Sequence, residues 1–470
     1  MIFSGTKKSI LMKVKIFTII VLAMTAFLIS CEEFVSIDTP KTQIVRKKVF
    51  ENDAGARAAV SGIFSQMMSG TSFASGGSNS VTVLGGLSSD EFLNHSLSQV
   101  YITLFNNTLS PINNTAVTSN WNDIYMFVYE ANAILEGVEG TNTLSKSVRN
   151  QVIGEAKFVR AFSYFYLVNL FGDVPLITGT DYRINQAAAR TPMVDVYRQI
   201  EDDLKDAQDH LLSDFSMSGN ERVEPNKWAA TALLARTYLY QRKWAQAEAQ
   251  SAAIIESNVF SLPATLNSVF LKNSSEVIWQ LMPVMPGFNT SEGPIMIITS
   301  NPSRWSLSTS TTDIFESTDR RLSSWVGSIT TGGKTYRFVS KYKVRLIGQP
   351  VTEYYMVFRL AEQYLIRAEA RAMQNNLLGA VADVNAIRAR AGLAPIDGTN
   401  MTQVDILTAI SKERRCELFA EWGHRWFDLK RSGNIDAVLG PIKSDWQSKD
   451  ALFPIPQAEI TANPNIVQNP

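Results

Sequence analysis

The residues best suited to chemistry in this 470-residue chain crowd into one stretch, Glu413 to Arg431, which reads ERRCELFAEWGHRWFDLKR. Carboxylates beside arginines and His424 are the groups that acid-base catalysts use. As one helix, the stretch sets Leu418, Trp422, Trp426 and Leu429 on an apolar seam beside a charged stripe of Arg414, Glu417, Glu421, Arg425 and Asp428. Along the stripe Glu421 stands four residues before Arg425, and Arg425 three before Asp428, spacings that suit intrahelical pairs. Gly423 interrupts it, so two helices meeting at Trp422-Gly423 satisfy the pattern equally well. Arginine-carboxylate networks beside tryptophans usually fix how helices pack, and structure rather than catalysis is the expectation. A lone His424 without ligand-spaced His, Cys or Asp makes no metal site. The chain has no nucleophile elbow, no His-Glu-x-x-His and no phosphate loop. No catalytic residue, metal or cofactor is expected.

A second kind of chemistry is written at the N-terminus. Lys7, Lys8, Lys13 and Lys15 form a basic region before an apolar run from Ile16 to Ile29, too short to span a membrane and typical of an export signal. The run ends in Leu28-Ile29-Ser30-Cys31, which looks like a bacterial lipobox, predicting a signal over residues 1–30 and lipidation of Cys31. The only other cysteine, Cys416, is read as a buried inert thiol. From Cys31 about 440 residues remain, enough for a large core. Lys and Arg number 44 against 44 Asp and Glu, a balance that argues against nucleic acid as a partner.

The elements that position these groups are mostly helical. After a polar tether over 32–48, Asn52 or Asp53 caps a helix from Ala54 to Met68, and others follow at Trp121 to Gly137, Asn150 to Phe171 and Val194 to Leu212. In the last of these Asp202, Asp203, Asp206 and Asp209 read as a solvated face. Pro225 to Tyr240 with Trp244 to Glu256, and Phe358 to Met373 with Leu377 to Arg390, form two similar helix pairs with small residues at their crossings, the logic of tetratricopeptide-type hairpins. With the pairs at Trp121 to Phe171 and Met401 to Arg431, about four hairpins are expected. Two irregular zones, about 69–120 and 258–355, separate them, with short strands at Val277 to Leu281 and Tyr336 to Val344. Asp313, Glu316, Asp319, Arg320 and Arg321 lack the order of a calcium loop and read as a structural ion-pair cluster. The helical pattern resumes over about 356–470.

Taken in order, these segments resemble the SusD/RagB family, surface lipoproteins with which Bacteroidetes capture nutrients. The resemblance rests on the lipobox, VFENDAGARAAVSGIF at Val49 to Phe64, WNDIYMFVYEANAIL at Trp121 to Leu135, GEAKFVRAFSYFYLVNLFGDVPL at Gly154 to Leu176, FRLAEQYLIRAEA at Phe358 to Ala370, the stretch Glu413 to Arg431, and the tail from Phe453. Two departures stand out: Trp422 separates Glu421 from Gly423, and the tail ends before the usual Gly-Tyr. The resemblance implies a mostly α SusD-like fold, one domain over 31–470, in which helix hairpins support a loop-rich ligand face. It also implies a lipid anchor in the outer membrane facing the cell exterior, and a SusC-like TonB-dependent barrel transporter as partner. The implied activity is non-catalytic capture of an oligosaccharide for import; capture of oligopeptides is the alternative. Sugar sites need aromatic faces with amides and carboxylates nearby. Asp90, Phe92 and Asn94 in the first irregular zone, and Phe288, Trp305, Trp325 and Tyr336 in the second, supply these groups. Trp305, in a loop after Pro302, is the leading candidate.

Overall fold

The computed structural model describes residues 12, 15, 17, 18, 46–70 and 73–469. Cys31, most of the signal segment and the tether up to residue 45 lie outside the described residues. The chain divides into two units, Met1–Val49 and Phe50–Pro470. The first contributes a short helix, Arg46–Val49, and the second all the elements that follow.

Helix α1, Asp53–Met67, starts where the sequence places it, with the Asn52 side chain accepting a hydrogen bond from the Gly55 amide. The zone that follows is more ordered than its Ser, Gly and Thr content predicts. It holds helix α2 (Val81–Ser88), strand β1 (Phe92–Asn94) and helix α3 (Gln99–Asn106). All of α2 is buried, so packing overrides the weak helix propensity of its residues. Its Gly85 is there for close approach: a methyl group added to it would sit 2.7 Å from the Gly423 Cα.

Two long helices follow, α4 (Thr115–Glu139) and α5 (Lys146–Phe171), then α6 (Met193–His210), α7 (Lys227–Tyr240) and α8 (Trp244–Glu256). After strands β2 (Val277–Leu281) and β3 (Trp305–Leu307) come helix α9 (Arg320–Trp325) and a hairpin of β4 (Val326–Thr331) and β5 (Lys334–Val339). Gly332 and Gly333, at φ 57° and 74°, turn that hairpin, so β5 ends five residues before the expected Val344. Strand β6 (Tyr355–Arg359) pairs antiparallel with β2 and leads into α10 (Leu360–Met373), α11 (Leu377–Ala391), α12 (Gln403–Leu418) and α13 (His424–Ser432). The fold is mostly α-helical, with short strands only in pairs among the described residues.

The helices pack in succession, α4 on α5, α5 on α6, α6 on α7, α7 on α8, α8 on α10, α10 on α11 and α12. The two similar pairs, distant in sequence, are therefore neighbours in space. Polar clamps fix the register of this stack. Arg160 grips Asp203 between α5 and α6 at 2.6 and 2.8 Å, Arg236 grips Glu362 between α7 and α10 at 2.6 and 2.7 Å, and Arg367 grips Asp383 between α10 and α11. Asp203 is thus buried, unlike the solvated acidic face expected of it.

Glu413 to Arg431 resolves into two helices. Between α12 and α13 the chain turns through Ala420, Trp422 and Gly423, at φ 52°, 48° and 70°. Because the helix breaks, the intrahelical pairs do not form. Glu421 instead bonds Arg359 at 2.8 Å and Lys341, Arg425 turns to Asp90, and Asp428 binds Arg414 and Arg431. Glu417 lies at the centre of a buried array, bonded to Arg321 at 3.0 Å and to Arg359 and Arg390. Asp319, Glu276 and Glu413 complete it, and Glu316 binds Arg388 and Lys412 nearby. Cys416 is buried, and burial pushes its thiol up to about 12.

Candidate ligand-binding face

Strand β1 pairs antiparallel with β3, setting Phe92 opposite Leu307, Leu93 opposite Ser306 and Asn94 opposite Trp305. The two irregular zones therefore meet edge to edge, and β5 packs against β3 beside them. Asp90, Phe92, Asn94, Trp305 and Tyr336 come together here.

Asp90 is 7% exposed and fully engaged. It accepts from Arg415 Nη2 at 2.6 Å and from Arg425 Nε and Nη2 at 2.6 and 3.0 Å. Burial alone would raise its carboxyl, but the two guanidiniums outweigh burial and hold it below the usual carboxylate range. Its neighbour Glu91 accepts from the Ala420 amide at 3.1 Å and is pushed by burial to about 7. These carboxylates tie the strand to the turn between α12 and α13, and Asp90 has its lone pairs committed to that role.

For three aromatics the structure corrects the expectation of a ligand-facing ring. Trp305 is 2% exposed; its Nε1 donates to Met296 Sδ at 3.1 Å and Tyr101 packs edge-on against its ring at 5.4 Å. Trp325 is 0% exposed, donates to the Leu266 carbonyl, and has the Lys341 ammonium 4.9 Å from its ring centre. Phe92 is likewise buried. An indole in a polar loop closes over the core because hiding its area outweighs what its Ser and Arg neighbours suggest.

Solvent reaches Asn94, Tyr336 and Phe288. The Asn94 amide brackets Ser96, accepting from its N–H at 3.0 Å and donating to its carbonyl at 3.1 Å. Tyr336 has His95 perpendicular to it at 5.5 Å and the Lys334 ammonium 5.1 Å from its ring centre. His95 also hydrogen-bonds Ser306 Oγ through Nε2 at 2.8 Å, and burial together with Lys334 lowers its basicity, so the imidazole is neutral near pH 7. Phe288 lies elsewhere, half-buried in a loop whose bonds run to 348–353. His95 and Tyr101 escaped the sequence reading; His95 adjoins the named Asn94, yet only the pairing with β3 shows that it faces Tyr336.

Two family models match the chain: the SusD family over residues 298–470, and a family described as starch-binding, associating with outer membrane, over residues 66–239. The SusD-like protein P25 of Formosa agariphila is 24% identical, covering 94% of this chain and 95% of its own. A solved laminarin binding SusD-like protein is 27% identical and superposes with a TM-score of 0.75 over 89% of this chain and 99% of its own. A SusD superfamily protein from Bacteroides vulgatus reaches a TM-score of 0.78 at 21% identity, over 89% of this chain and 99% of that one. The chain belongs to the SusD-like family. In this SusD-like protein the stretch Glu413 to Arg431 serves as the mount for the β1–β3 strand edge. The Trp422 amide donates to Thr82 Oγ1 at 2.9 Å, and Lys443 donates to the Leu87 and Ser88 carbonyls at 2.8 Å each, fixing the end of α2 from which β1 emerges.

Proposed function

We propose that this protein captures an oligosaccharide without chemically altering it, holding it at the β1–β3–β5 edge and passing it to a SusC-like TonB-dependent barrel transporter for import. The anchor in this reading is a lipid on Cys31, which keeps the protein on the outer membrane facing outward. The observation that carries the proposal is the solvent-reached group around Tyr336: a phenol ring for the C–H face of a sugar, with Lys334 over the ring and His95 against it, and with Asn94 and Arg304 flanking that histidine across the strand pair to supply groups for the hydroxyls. The laminarin-binding relative supports a glycan as ligand, and the family description supports the outer membrane. Glycan binding and lipidation are separable tests. Calorimetry against a panel of soluble glycans and peptide mixtures is expected to give heat with a glycan, weakened about tenfold by Tyr336→Ala. Heat with peptides alone would refute the sugar reading. Loss of membrane fractionation in Cys31→Ala tests the anchor, and co-purification with a large outer-membrane barrel tests the partner.

A further inference from the structure

On the other side of Arg415 and Arg425, away from their Asp90 partner, α12 and α13 border a cleft of about 700 Å³. That volume lies in the range of small-ligand sites, about 300–1,000 Å³. Its walls are apolar where Met373, Val404, Leu407, Leu429 and Val438 line it. Its charges are one-sided: Arg242, Lys412, Arg414, Arg415, Arg425 and Arg431 against Glu369 and Asp428. The counterions of Lys412, Arg415 and Arg425, namely Glu316 and Asp90, are not among the lining residues.

Beneath the cleft lies an inner cavity of about 10 Å³, which shares Ser411, Arg414, Arg415, Arg425 and Asp428 with it and adds Glu91 and His424. That is room for roughly one oxygen-sized atom. Residues lining it carry three buried polar atoms with no hydrogen-bond partner: Arg414 Nη1, Arg415 Nε and His424 Nδ1. The Arg414 side chain is 3% exposed, and its other nitrogens already hold Asp428. Unsatisfied buried guanidinium N–H groups are costly unless an acceptor reaches them.

We propose that this cleft is a second binding site, for a small organic ligand bearing a carboxylate or sulfate, one oxygen of which enters the inner cavity between Arg414 and Arg415 while its ring lies on the apolar wall. Guanidinium–oxyanion bonds are the strong, charge-assisted kind, and the apolar wall selects against a bare inorganic ion. Ser411 is exposed on α12 and lines both spaces, so a carboxylate introduced there would take the ligand's place.

The test titrates the detergent-solubilised full chain with glucuronate, glucose 6-sulfate, glucose and inorganic sulfate. The two acidic sugars are expected to bind at least about tenfold more tightly than glucose or inorganic sulfate. Ser411→Asp should abolish that binding and raise the melting temperature by satisfying the guanidiniums. Acidic sugars binding no better than glucose, or binding Ser411→Asp undiminished, would overturn the proposal, as would sulfate binding as tightly as the sulfated sugar. Neutral-glycan binding weakened by Tyr336→Ala but intact in Ser411→Asp separates this site from the one at the strand edge.

Discussion

Replacing Glu417 by glutamine tests whether the buried charge array, rather than the apolar seam beside it, sets the stability of the α12–α13 junction. The glutamine keeps the shape but places an amide N–H against Arg321 Nη1, where Glu417 Oε2 now accepts at 3.0 Å. Arg321 keeps Asp319 and Glu413, and Arg359 keeps Glu421 and Glu276. Arg390 keeps the amide oxygen in place of Oε1 but loses its charge, so Glu276 becomes its only anionic partner. Breaking a buried pair from one side costs about 3–5 kcal/mol, and the surviving partners argue for the lower end. At about 2 cal/mol/K of unfolding entropy per residue, a body of about 420 residues should lose roughly 3 °C in melting temperature. Burial alone would raise the Glu417 carboxyl, but Arg390, Arg359 and Arg321 hold it well below its ordinary value, so its contribution is present above the unfolded pKa and lost as pH falls. Calorimetric melts from pH 3 to 7 should therefore show the variant less stable at neutral pH, with a shallower acid decline, and the exposed control Glu51→Gln unchanged. A melting temperature equal to that of the parent, with the same acid limb, would refute the reasoning.

Three other buried carboxyls give a second, opposite pH dependence. Burial pushes Glu91 to about 7 and Glu155 and Glu292 to about 8, so each holds a proton in the fold that the unfolded chain releases near 4.5. Stability should fall as pH rises from about 4.5 towards 8, and Glu292→Gln should flatten the fall in urea titrations. Lys430 and Lys443, lowered by burial to about 7, act against it above that pH, where the unfolded chain binds more protons. Trp305→Ala should cost about 3–5 kcal/mol in a melt, because its ring is core, whereas Tyr336→Ala should leave the melt unchanged and act on glycan affinity alone. Trp422→Gly relieves a left-handed backbone worth about 1–2 kcal/mol but removes a buried indole worth about 3–5, so a net loss is expected, and a stabilised variant would contradict the packing seen. Cys416 should resist thiol reagents in the native protein and react fully in denaturant.

What could be read in advance follows the range of the interaction. Trp244–Glu256 and Val277–Leu281 are observed with the bounds their periodicity implies, and Asn52 caps α1, because these depend on residues a few positions apart. Helix α2 was missed since Ser, Thr and Gly carry little local helix signal and its order comes from burial on all sides. Asp203 looked like its solvated neighbours until Arg160 of another helix met it. The strand edge proposed to hold the ligand gathers five of the residues named from sequence, while Phe288 and Trp325 lie elsewhere. Asp90, Asn94, Trp305 and Tyr336 do gather, yet only the β1–β3 register decides that Trp305 turns inward and that His95 meets Tyr336.

That register is set from the scaffold, which gives the buried charges a role beyond stability. The Ala- and Leu-rich faces of α7, α8, α10 and α11 could slide over one another with little change in apolar contact. Glu417 cannot slide, because Arg321, Arg359 and Arg390 reach it from three separate segments. A slip of α12 by one residue moves it about 1.5 Å and turns it about 100°. Such a slip would part Arg415 from Asp90 and the Ala420 amide from Glu91, two of the bonds that hold the start of β1. Buried ion pairs are poor sources of net stability but good selectors of one arrangement among similar ones. In this chain the arrangement selected is the one that brings His95 against Tyr336 at the open edge of the strands.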